Sequence, residues 1–563
     1  MDLVKILSLA IVMTFGSLTS FATNQSSAKA QFLGIRTLNA GAQSRAIIGN
    51  PRRMPLMRKP FFGLNPSTAA VPSPTVPGVP IIGPGADFHG FNGITAATAA
   101  NAQGFTNEPP DQGLGVSATQ VVEAVNLSVS AFTRNGATLA GPVSFYDFLQ
   151  LDPNTIFLSD PRVFFDQDTH RWFITILQFA IDADGNFAAP AFTLVAVSAQ
   201  TNAIGNYYVF AFNVTDSKHA GCPCFGDQPL VGFNNDGIFL SMNEFSFATF
   251  DFETVLLLAT DKHRLVDGDV GPVVAFQNLF GGGMPGFSVQ PSNRARGTST
   301  AANGGTEFLL STLNPEGFAD NRLQLWSLTN THSLRSNAPT LTLTTHTVTT
   351  EPYIQTNLVP QKNGPTPLRD ALNEQNHNGD PLETLDPGDI RMQQVIFAGG
   401  KLYAAMSTTL LKPSGGFRNG VAWFVIHPGA AVRPLTANVS AQGYLAANSI
   451  YLLYPAIAVN SAGQGVIGFS MSGKNIFPSV GYSKFLGTAT ENAIHLAFAG
   501  AAPEDGFSGY FEFGGNGIAR WGDYSASTVA PDGSLWFADE YIPNLPRTTF
   551  TNWGTGIGTV TAP

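Results

Sequence analysis

Apolar and polar residues alternate along the stretch Ser159–Thr175 in a pattern that predicts a β-hairpin. A short apolar strand is followed by the polar residues Asp166, Gln167 and Asp168, and then by a second strand that begins at Trp172. Asp and Gln side chains can bond to nearby backbone groups, so this turn is suited to a tight reversal. The stretch therefore predicts two antiparallel strands.

The same hairpin pattern recurs along the chain from residue 111 onward. Its copies are Asp111–Asn126, Ser159–Thr175, Asp227–Met242, Gln290–Ser311, Met392–Ser407, Tyr454–Ser470 and Asp523–Asp539. Further strand-like segments follow each copy, for example Phe192–Ser198 and Tyr207–Val214 after the second. Four strands per repeat, arranged radially, are typical of a β-propeller, whereas a solenoid has shorter and more uniform repeats with capping ends. Seven copies predict seven blades.

The last repeat is short of strands, because Asn552–Thr561 is its last clear strand-like segment. We therefore predict that a segment within Phe88–Phe105 completes the final blade. The composition agrees with an all-β fold, since the chain is 44% apolar and contains 58 Gly and 44 Phe but only 12% charged residues.

The region before the repeats divides into two parts. Residues 1–22 have the basic start, apolar run and small-residue cleavage site of a secretory signal peptide. Residues 23–86 are rich in proline, contain seven basic residues and no acidic one, and are predicted to form a flexible, disordered linker. This basic segment could bind an anionic surface or fold back on its own domain. We expect a secreted, periplasmic or extracellular protein with no transmembrane segment in its mature chain, and residues 87–563 as the propeller.

Several sequence motifs together resemble one group of proteins. The runs SDPRV…RWF, VAVS…GNYY, GDQP, RMQQ…GGKLYAAMS, ARWGDYSAS…DGSLWFADEY and NWGTGIG are similar to those of secreted bacterial β-propeller proteins of unassigned function. That group is distantly similar in shape to the sialidase-type propellers. The resemblance covers roughly residues 107–563 and implies the fold more strongly than any chemistry.

In a propeller, the loop that leads into the first strand of each blade opens on one face of the central channel. Polar residues occupy these positions here, and we name the candidates for ligand binding the channel-mouth group: Asp111, Asp160, Arg162, Asp227, Gln228, Arg391, Gln393, Tyr454, Arg520 and Asp523. Such a set of side chains can bind a cation, a sugar or a peptide terminus. The alternative is that these groups form hydrogen bonds between adjacent blades and hold the ring together.

The sequence favours a binding or scaffolding module with an extracellular glycan or protein as its partner. The alternative is a glycan-active hydrolase or lyase of sialidase-like type, in which Arg162, Arg391 and Arg520 would meet near a tyrosine, either Tyr454 or Tyr524. The Asp-box turn of sialidases is absent, which favours the binding module. A nucleic-acid function is not expected, because the repeats have no basic face.

Three smaller features complete the sequence-based picture. The cysteines, Cys222 and Cys224, are interpreted as a constrained loop edge; oxidation or binding of a soft metal with His219 are the alternatives. No cofactor is identified, although calcium is a candidate cation, and the acidic stretch 182–186 is interpreted as a turn. Residues 351–389 form an insertion that we expect at the channel-mouth face, as a lid, a partner-binding loop or a disordered decoration.

Overall fold

The computed structural model describes residues 25–41, 45, 51–53, 72–219, 221–313, 318–373 and 382–563. The predicted signal peptide lies outside the described residues. Within them the protein is all-β, and the longest α-helix, Ala96–Gln103, has 8 residues. The other α-helices of the described chain are Phe145–Leu149, Lys262–Val266 and Pro367–Leu372.

The first two strands of each sheet correspond to one of the predicted hairpins. In the hairpin at Ser159–Thr175, strand Ile156–Asp166 pairs antiparallel with Arg171–Ile181, and Phe165 lies opposite Trp172. Each hairpin is extended by two more antiparallel strands, which gives seven groups of four among the described residues.

We number these groups sheets 1 to 7 in chain order. Sheet 1 is Gly113–Val116, Gln120–Val125, Ser128–Thr133 and Thr138–Ser144; sheet 2 is Ile156–Asp166, Arg171–Ile181, Phe187–Ser198 and Gly205–Asn213; sheet 3 is Cys224–Phe233, Gly237–Ser246, Phe252–Asp261 and Val273–Gln277; sheet 4 is Gln290–Pro291, Thr306–Thr312, Ala319–Thr329 and Thr342–Ile354; sheet 5 is Gln394–Ala398, Lys401–Leu411, Phe417–Val432 and Leu435–Leu445; sheet 6 is Tyr451–Val459, Gln464–Gly473, Ile476–Leu486 and Ile494–Phe498; sheet 7 is Ala526–Val529, Leu535–Tyr541, Gly554–Val560 and His89–Thr95. A short strand, Asn293–Arg294, pairs in parallel with the first strands of sheets 3 and 5.

Aromatic side chains pack between consecutive sheets. The ring centroids of Phe173 and Phe233 are 5.0 Å apart between sheets 2 and 3, and those of Tyr482 and Phe537 are 5.1 Å apart between sheets 6 and 7. Leu114 and Val116 of sheet 1 share a buried cluster with Trp536 of sheet 7, so the seventh sheet packs against the first. Each sheet therefore buries its apolar faces against its neighbours.

The predicted closing strand is present. Strand His89–Thr95 pairs antiparallel with Gly554–Val560, with Phe91 opposite Ile557. The backbone N–H of Ile94 also donates to the Glu123 carboxylate of sheet 1 at 2.7 Å. A segment from before the repeats thus supplies the fourth strand of the last sheet.

Residues 23–86 were expected to form a disordered linker, but parts of this segment form β-strands in the structure. Strand Ala30–Leu38 extends sheet 2 by pairing antiparallel with Gly205–Asn213, and Ser26–Ala28 extends sheet 3. Ile81–Ile82 adds a parallel pair to the outer strand of sheet 6. The physical reason is that the outer strand of a sheet presents unpaired N–H and C=O groups, which an extended segment can satisfy. In these parts the basic segment folds back on its own domain.

Candidate functional site

A central cavity of about 290 Å³ is lined by the first strands of the sheets. One lining residue from each sheet, in order, is Leu114, Val163, Val231, Gln290, Ile396, Ala458 and Ser527. Arg162 and Gln393 of the channel-mouth group also line this cavity. The group therefore lies at the end of the cavity where the chain enters the first strands.

Irregular backbone at the start of these strands positions several of the side chains. Asp160, Gln228 and Tyr454 have φ values of 55°, 49° and 48°, and the strand register shifts at each of these places. Asp111, just before sheet 1, has a φ of 50°. Such β-bulges redirect side chains, and left-handed non-glycine residues concentrate at functional sites. The repeated bulge explains why similar positions in different sheets face one another.

Three carboxylates of the channel-mouth group converge. Carboxylate oxygens of Asp111, Asp160 and Asp523 lie within 4.8 Å of one another. Asp111 accepts hydrogen bonds from the Asp523 backbone N–H at 2.6 Å and from the Asn126 side chain at 2.8 Å. The side-chain oxygen of Asn126, Oδ1, in turn accepts from the Asp160 backbone N–H at 3.0 Å. Asn126 was not among the predicted site residues, although it ends the first hairpin.

Burial changes the protonation of this cluster. It raises the pKa of Asp160 to about 6, and the nearby Asp523 charge adds to that effect. Burial also holds the pKa of Asp111 and of Asp227 well above the usual range, again with a contribution from Asp523. These carboxyl groups therefore retain protons at a higher pH than free carboxyl groups do.

Three guanidinium groups interact with this cluster, one of them directly. Arg520 donates to Asp523 at 2.9 Å, and Arg391 pairs with Asp389 at 2.8 Å and donates to Gln228. Arg162, Arg391 and Arg520 each interact electrostatically with Asp523. The Asp523 side chain is 38% exposed while that of Arg520 is 6% exposed, so solvent reaches the centre of the group through Asp523.

The hydroxyl groups of the two candidate tyrosines form hydrogen bonds with backbone carbonyls. Tyr454 donates to the Asp386 carbonyl at 3.1 Å, and Tyr524 donates to the Pro161 carbonyl at 2.8 Å. Burial raises the pKa of both phenols well above the usual range. A sialidase-type nucleophile needs a phenol that a neighbouring base can deprotonate, and neither tyrosine is arranged in that way.

Several contacts agree with the alternative interpretation, in which the polar groups connect sheets. The bond from Asp523 to Asp111 joins the segments that lead into sheets 7 and 1, and the pair Gln228–Arg391 joins those of sheets 3 and 5. Gln393 donates to the Asp523 backbone carbonyl at 3.4 Å. The channel-mouth group thus connects sheets 7 and 1, 3 and 5, and 5 and 7, and also presents a partly exposed carboxylate.

The end of the predicted insertion reaches the channel-mouth face, as expected. Asp386 accepts from Tyr454, and Asp389 pairs with Arg391. The strand Thr384–Leu385 is held in place by parallel pairing with Ile518–Ala519. The sequence located this insertion but did not identify Asp386 and Asp389 as part of the group.

The remaining motifs also have defined structures. Cys222 and Cys224 form a disulfide, so neither sulfur is free to bind a metal. The stretch 182–186 forms an exposed turn in which one Asp182 oxygen accepts from the backbone N–H groups of Asp184 and Asn186. This turn confirms the interpretation of 182–186 from the sequence.

No protein-family model and no curated protein matches the chain. Solved structures with a similar fold include a Trypanosoma rangeli sialidase at 8% identity, covering 80% of this chain and 58% of the sialidase with a TM-score of 0.30. The phage phi92 endosialidase is 9% identical, with 71% of this chain and 66% of that one covered and a TM-score of 0.30. An exo-beta-1,3-galactanase from Clostridium thermocellum is 10% identical over 84% and 97% of the two chains, with a TM-score of 0.28. The chain thus spans just over half the length of the Trypanosoma rangeli sialidase.

Among the described residues, no helix has both the length and the apolar character needed to cross a membrane.

Proposed function

We propose that this chain is an exported, seven-bladed β-propeller that binds a carbohydrate at the mouth of its central channel. The seven four-stranded sheets, the packing of the seventh against the first and the cavity between their first strands support the architecture. In this proposal residues 1–22 are a signal peptide, 23–86 a leader and 87–563 the propeller.

Export is supported by two separate features. The first 22 residues have the pattern of a secretory signal, and Cys222 and Cys224 are oxidised to a disulfide. Disulfides persist mainly in oxidising compartments outside the cytosol.

The observation that carries the binding proposal is the position of the partly exposed Asp523, whose carboxylate lies within 4.8 Å of those of Asp111 and Asp160 and is bonded to Arg520 at 2.9 Å. Arg162 and Arg391 also interact electrostatically with it. Sugar hydroxyls both donate and accept hydrogen bonds, so they match a site that offers carboxylate acceptors beside guanidinium donors. A purely anionic ligand fits less well, because it offers no hydrogen-bond donor to the carboxyl oxygens of the site.

A glycan array incubated with the mature chain tests this proposal. We expect selective, lasting binding by the unaltered protein and by Asp184→Asn, which changes an exposed carboxylate in the turn 182–186 and serves as the matched control. Asp523→Asn should weaken binding by roughly tenfold or more, the equivalent of losing one charge-assisted hydrogen bond. Equal binding by Asp523→Asn and the control would contradict a site at the channel mouth.

A glycan-active hydrolase is the second candidate, and one observation favours it. Asp160, with a pKa of about 6, can hold a proton near neutral pH beside carboxylates within 4.8 Å, as a general acid requires. Reading the same array early and late separates the two candidates. A signal that disappears with time while sugar is released would establish hydrolysis in place of binding alone.

A further inference from the structure

A second cluster of ligating side chains lies away from the channel mouth, beside the disulfide. Ligand atoms of Asp216, His219 and Glu244 lie within 4.8 Å of one another. Asp216 and His219 belong to the loop that precedes sheet 3, and Glu244 lies on the second strand of that sheet. The cluster therefore brings two side chains of the loop close to one of the sheet.

Glu244 carries the argument, because its carboxylate is buried and has no partner in the described structure. The residue is 0% exposed, and neither Oε1 nor Oε2 forms a hydrogen bond. A buried carboxylate without a hydrogen bond or counter-charge is strongly disfavoured. The Glu244 carboxylate thus faces Asp216 and His219 with its full capacity to accept unused.

The other two groups are already oriented. One Asp216 oxygen accepts from the Lys218 backbone N–H at 2.7 Å, and the other contacts His219 Nδ1. The Asn278 side chain contacts Nε2, the second ring nitrogen of His219. For Nδ1 to bind a metal, Nε2 must carry the ring proton, and the Asn278 amide must turn so that its oxygen accepts that proton; an outer partner of this kind then fixes the ring of a metal-binding histidine.

The loop that bears these residues is anchored on both sides. Cys224 exchanges backbone hydrogen bonds with Asp216 at 3.1 and 2.7 Å, and the Ser246 hydroxyl donates to the Gly221 carbonyl at 2.7 Å. The disulfide between Cys222 and Cys224 lies within the same loop. The loop therefore presents Asp216 and His219 to Glu244 from a restrained backbone.

We propose that Asp216, His219 and Glu244 bind a divalent first-row transition metal, with zinc as the best match. One imidazole nitrogen with two carboxylates is a typical ligand set for zinc, whereas calcium prefers oxygen ligands only. A tetrahedral zinc ion with bonds of about 2.0 Å places its ligand atoms ~3.3 Å apart, which small side-chain adjustments achieve from the present spacing. The 24% exposed His219 side chain leaves the ion a path from solvent, and the ion supplies the counter-charge that Glu244 lacks.

The nearby Glu253 is the candidate for the fourth ligand. Its carboxylate packs against Gly221 and interacts electrostatically with His219. Two ligands from the loop and one from the second strand of sheet 3, with Glu253 or water as the fourth, make this a structural site that supports the loop.

Metal titration of the chelator-treated mature chain tests the proposal, with zinc chloride as the probe and cobalt chloride for absorption spectroscopy. We expect one equivalent of zinc to bind, to raise the melting temperature, and to displace cobalt with the loss of tetrahedral Co²⁺ absorption bands. His219→Ala should reduce zinc affinity by more than the ~100-fold that losing an outer-shell partner costs. Glu244→Gln should do the same without lowering the stability of the metal-free protein, because it removes an unpartnered buried charge.

The control is His427→Ala, which changes an exposed histidine on sheet 5 and should leave zinc binding unchanged. Because His219 is partly exposed, we expect His219→Ala to fold. This variant can therefore test the proposal even if Glu244→Gln does not fold. Absence of zinc binding by the unaltered chain would overturn the proposal. Zinc binding retained by His219→Ala but lost by Asp523→Asn would also overturn it, and would place the ion at the channel mouth.

Discussion

The guanidinium of Arg162 lies directly over the ring of Tyr524, with its Cζ atom 3.3 Å from the ring centre. Two of its nitrogens, Nε and Nη2, have no hydrogen-bond acceptor in the described structure. The negative face of the phenol ring takes the place of an acceptor, since a desolvated cation over an aromatic ring gains roughly 2 kcal/mol. Burial raises the pKa of Asp160, and the same guanidinium reduces that rise, so the stacked pair couples the aromatic wall of the site to its carboxylates.

Replacing this guanidinium should therefore have a pH-dependent effect on stability. We expect Arg162→Met to lower the free energy of unfolding by about 2 kcal/mol at pH 7 and by less at pH 5. At the lower pH Asp160 is largely protonated and no longer needs the counter-charge. Chemical denaturation at the two pH values measures the difference. Arg134→Met is the matched control, because Arg134 lies 5.2 Å from the ring centre of Trp536 and outside the channel-mouth group. An equal loss at both pH values for Arg162→Met would contradict the coupling.

Asp160 should make the fold less stable as the pH rises. Burial raises its pKa from 3.8 to about 6, so the folded state binds this proton more tightly than the unfolded chain does. The stabilising effect of the bound proton is complete below about pH 4 and is lost as the pH rises to about 6. We expect Asp160→Asn to be more stable than the unaltered protein above pH 6, by up to about 3 kcal/mol. Asparagine also tolerates the left-handed backbone at this position.

Denaturation midpoints from pH 4 to 8 for Asp160→Asn, the unaltered chain and Asp184→Asn test this prediction. The curve of Asp184→Asn should run parallel to that of the unaltered chain. If the curve of Asp160→Asn does so as well, Asp160 does not titrate in this range.

The tyrosines should behave as structural groups. Tyr454→Phe and Tyr524→Phe each remove one hydroxyl bonded to a backbone carbonyl, so each should cost about 1 kcal/mol of stability. Glycan binding on the array should be unchanged in both. If sugar release is observed and Tyr454→Phe abolishes it while the fold remains intact, the tyrosine is a nucleophile and the structural assignment is wrong.

The closing strand should be essential to the stability of the fold. Deleting residues 86–105 removes His89–Thr95 from sheet 7 and exposes the ladder edge of Gly554–Val560. We expect a sharp fall in the melting temperature, measured by calorimetry. Deleting residues 24–41 is the control, because it removes only strands that extend the outer edges of sheets 2 and 3, and it should have a smaller effect. Equal melting temperatures for the two deletions would contradict the prediction that this strand closes the ring.

The sequence predicted the hairpins because their signals are local. Alternating strands and turn residues such as those at 166–168 or Gly399–Gly400 act within a few positions, so each hairpin could be recognised separately. The channel-mouth group followed from the repeat itself, since equivalent positions in a radial array must face one axis. The structure joins several of the ten residues through direct contacts, such as Asp111 with Asp523 and Gln228 with Arg391, while the role of the group in ligand binding stays a prediction.

Other features depend on contacts between distant parts of the chain. The pairing of Phe32 with Phe210 has no signature in either segment, and prolines elsewhere in the leader suggested disorder. Asn126 is important because it reaches both Asp111 and Asp160, a relationship that only the bulges in the backbone create. Glu244 has the sequence environment of an ordinary strand residue, so only its burial without a partner distinguishes it.

The origin of the last sheet has a consequence for how the chain acquires its structure during synthesis. In sheets 1 to 6 the four core strands are close in sequence, so each can assemble soon after it leaves the ribosome or an export channel. Sheet 7 cannot assemble in this way, because Phe91 of its fourth strand pairs with Ile557, which is synthesised more than 400 residues later. The seventh sheet is thus completed only after the strand Gly554–Val560 has been synthesised, and contacts of such long range are typical of slowly folding proteins.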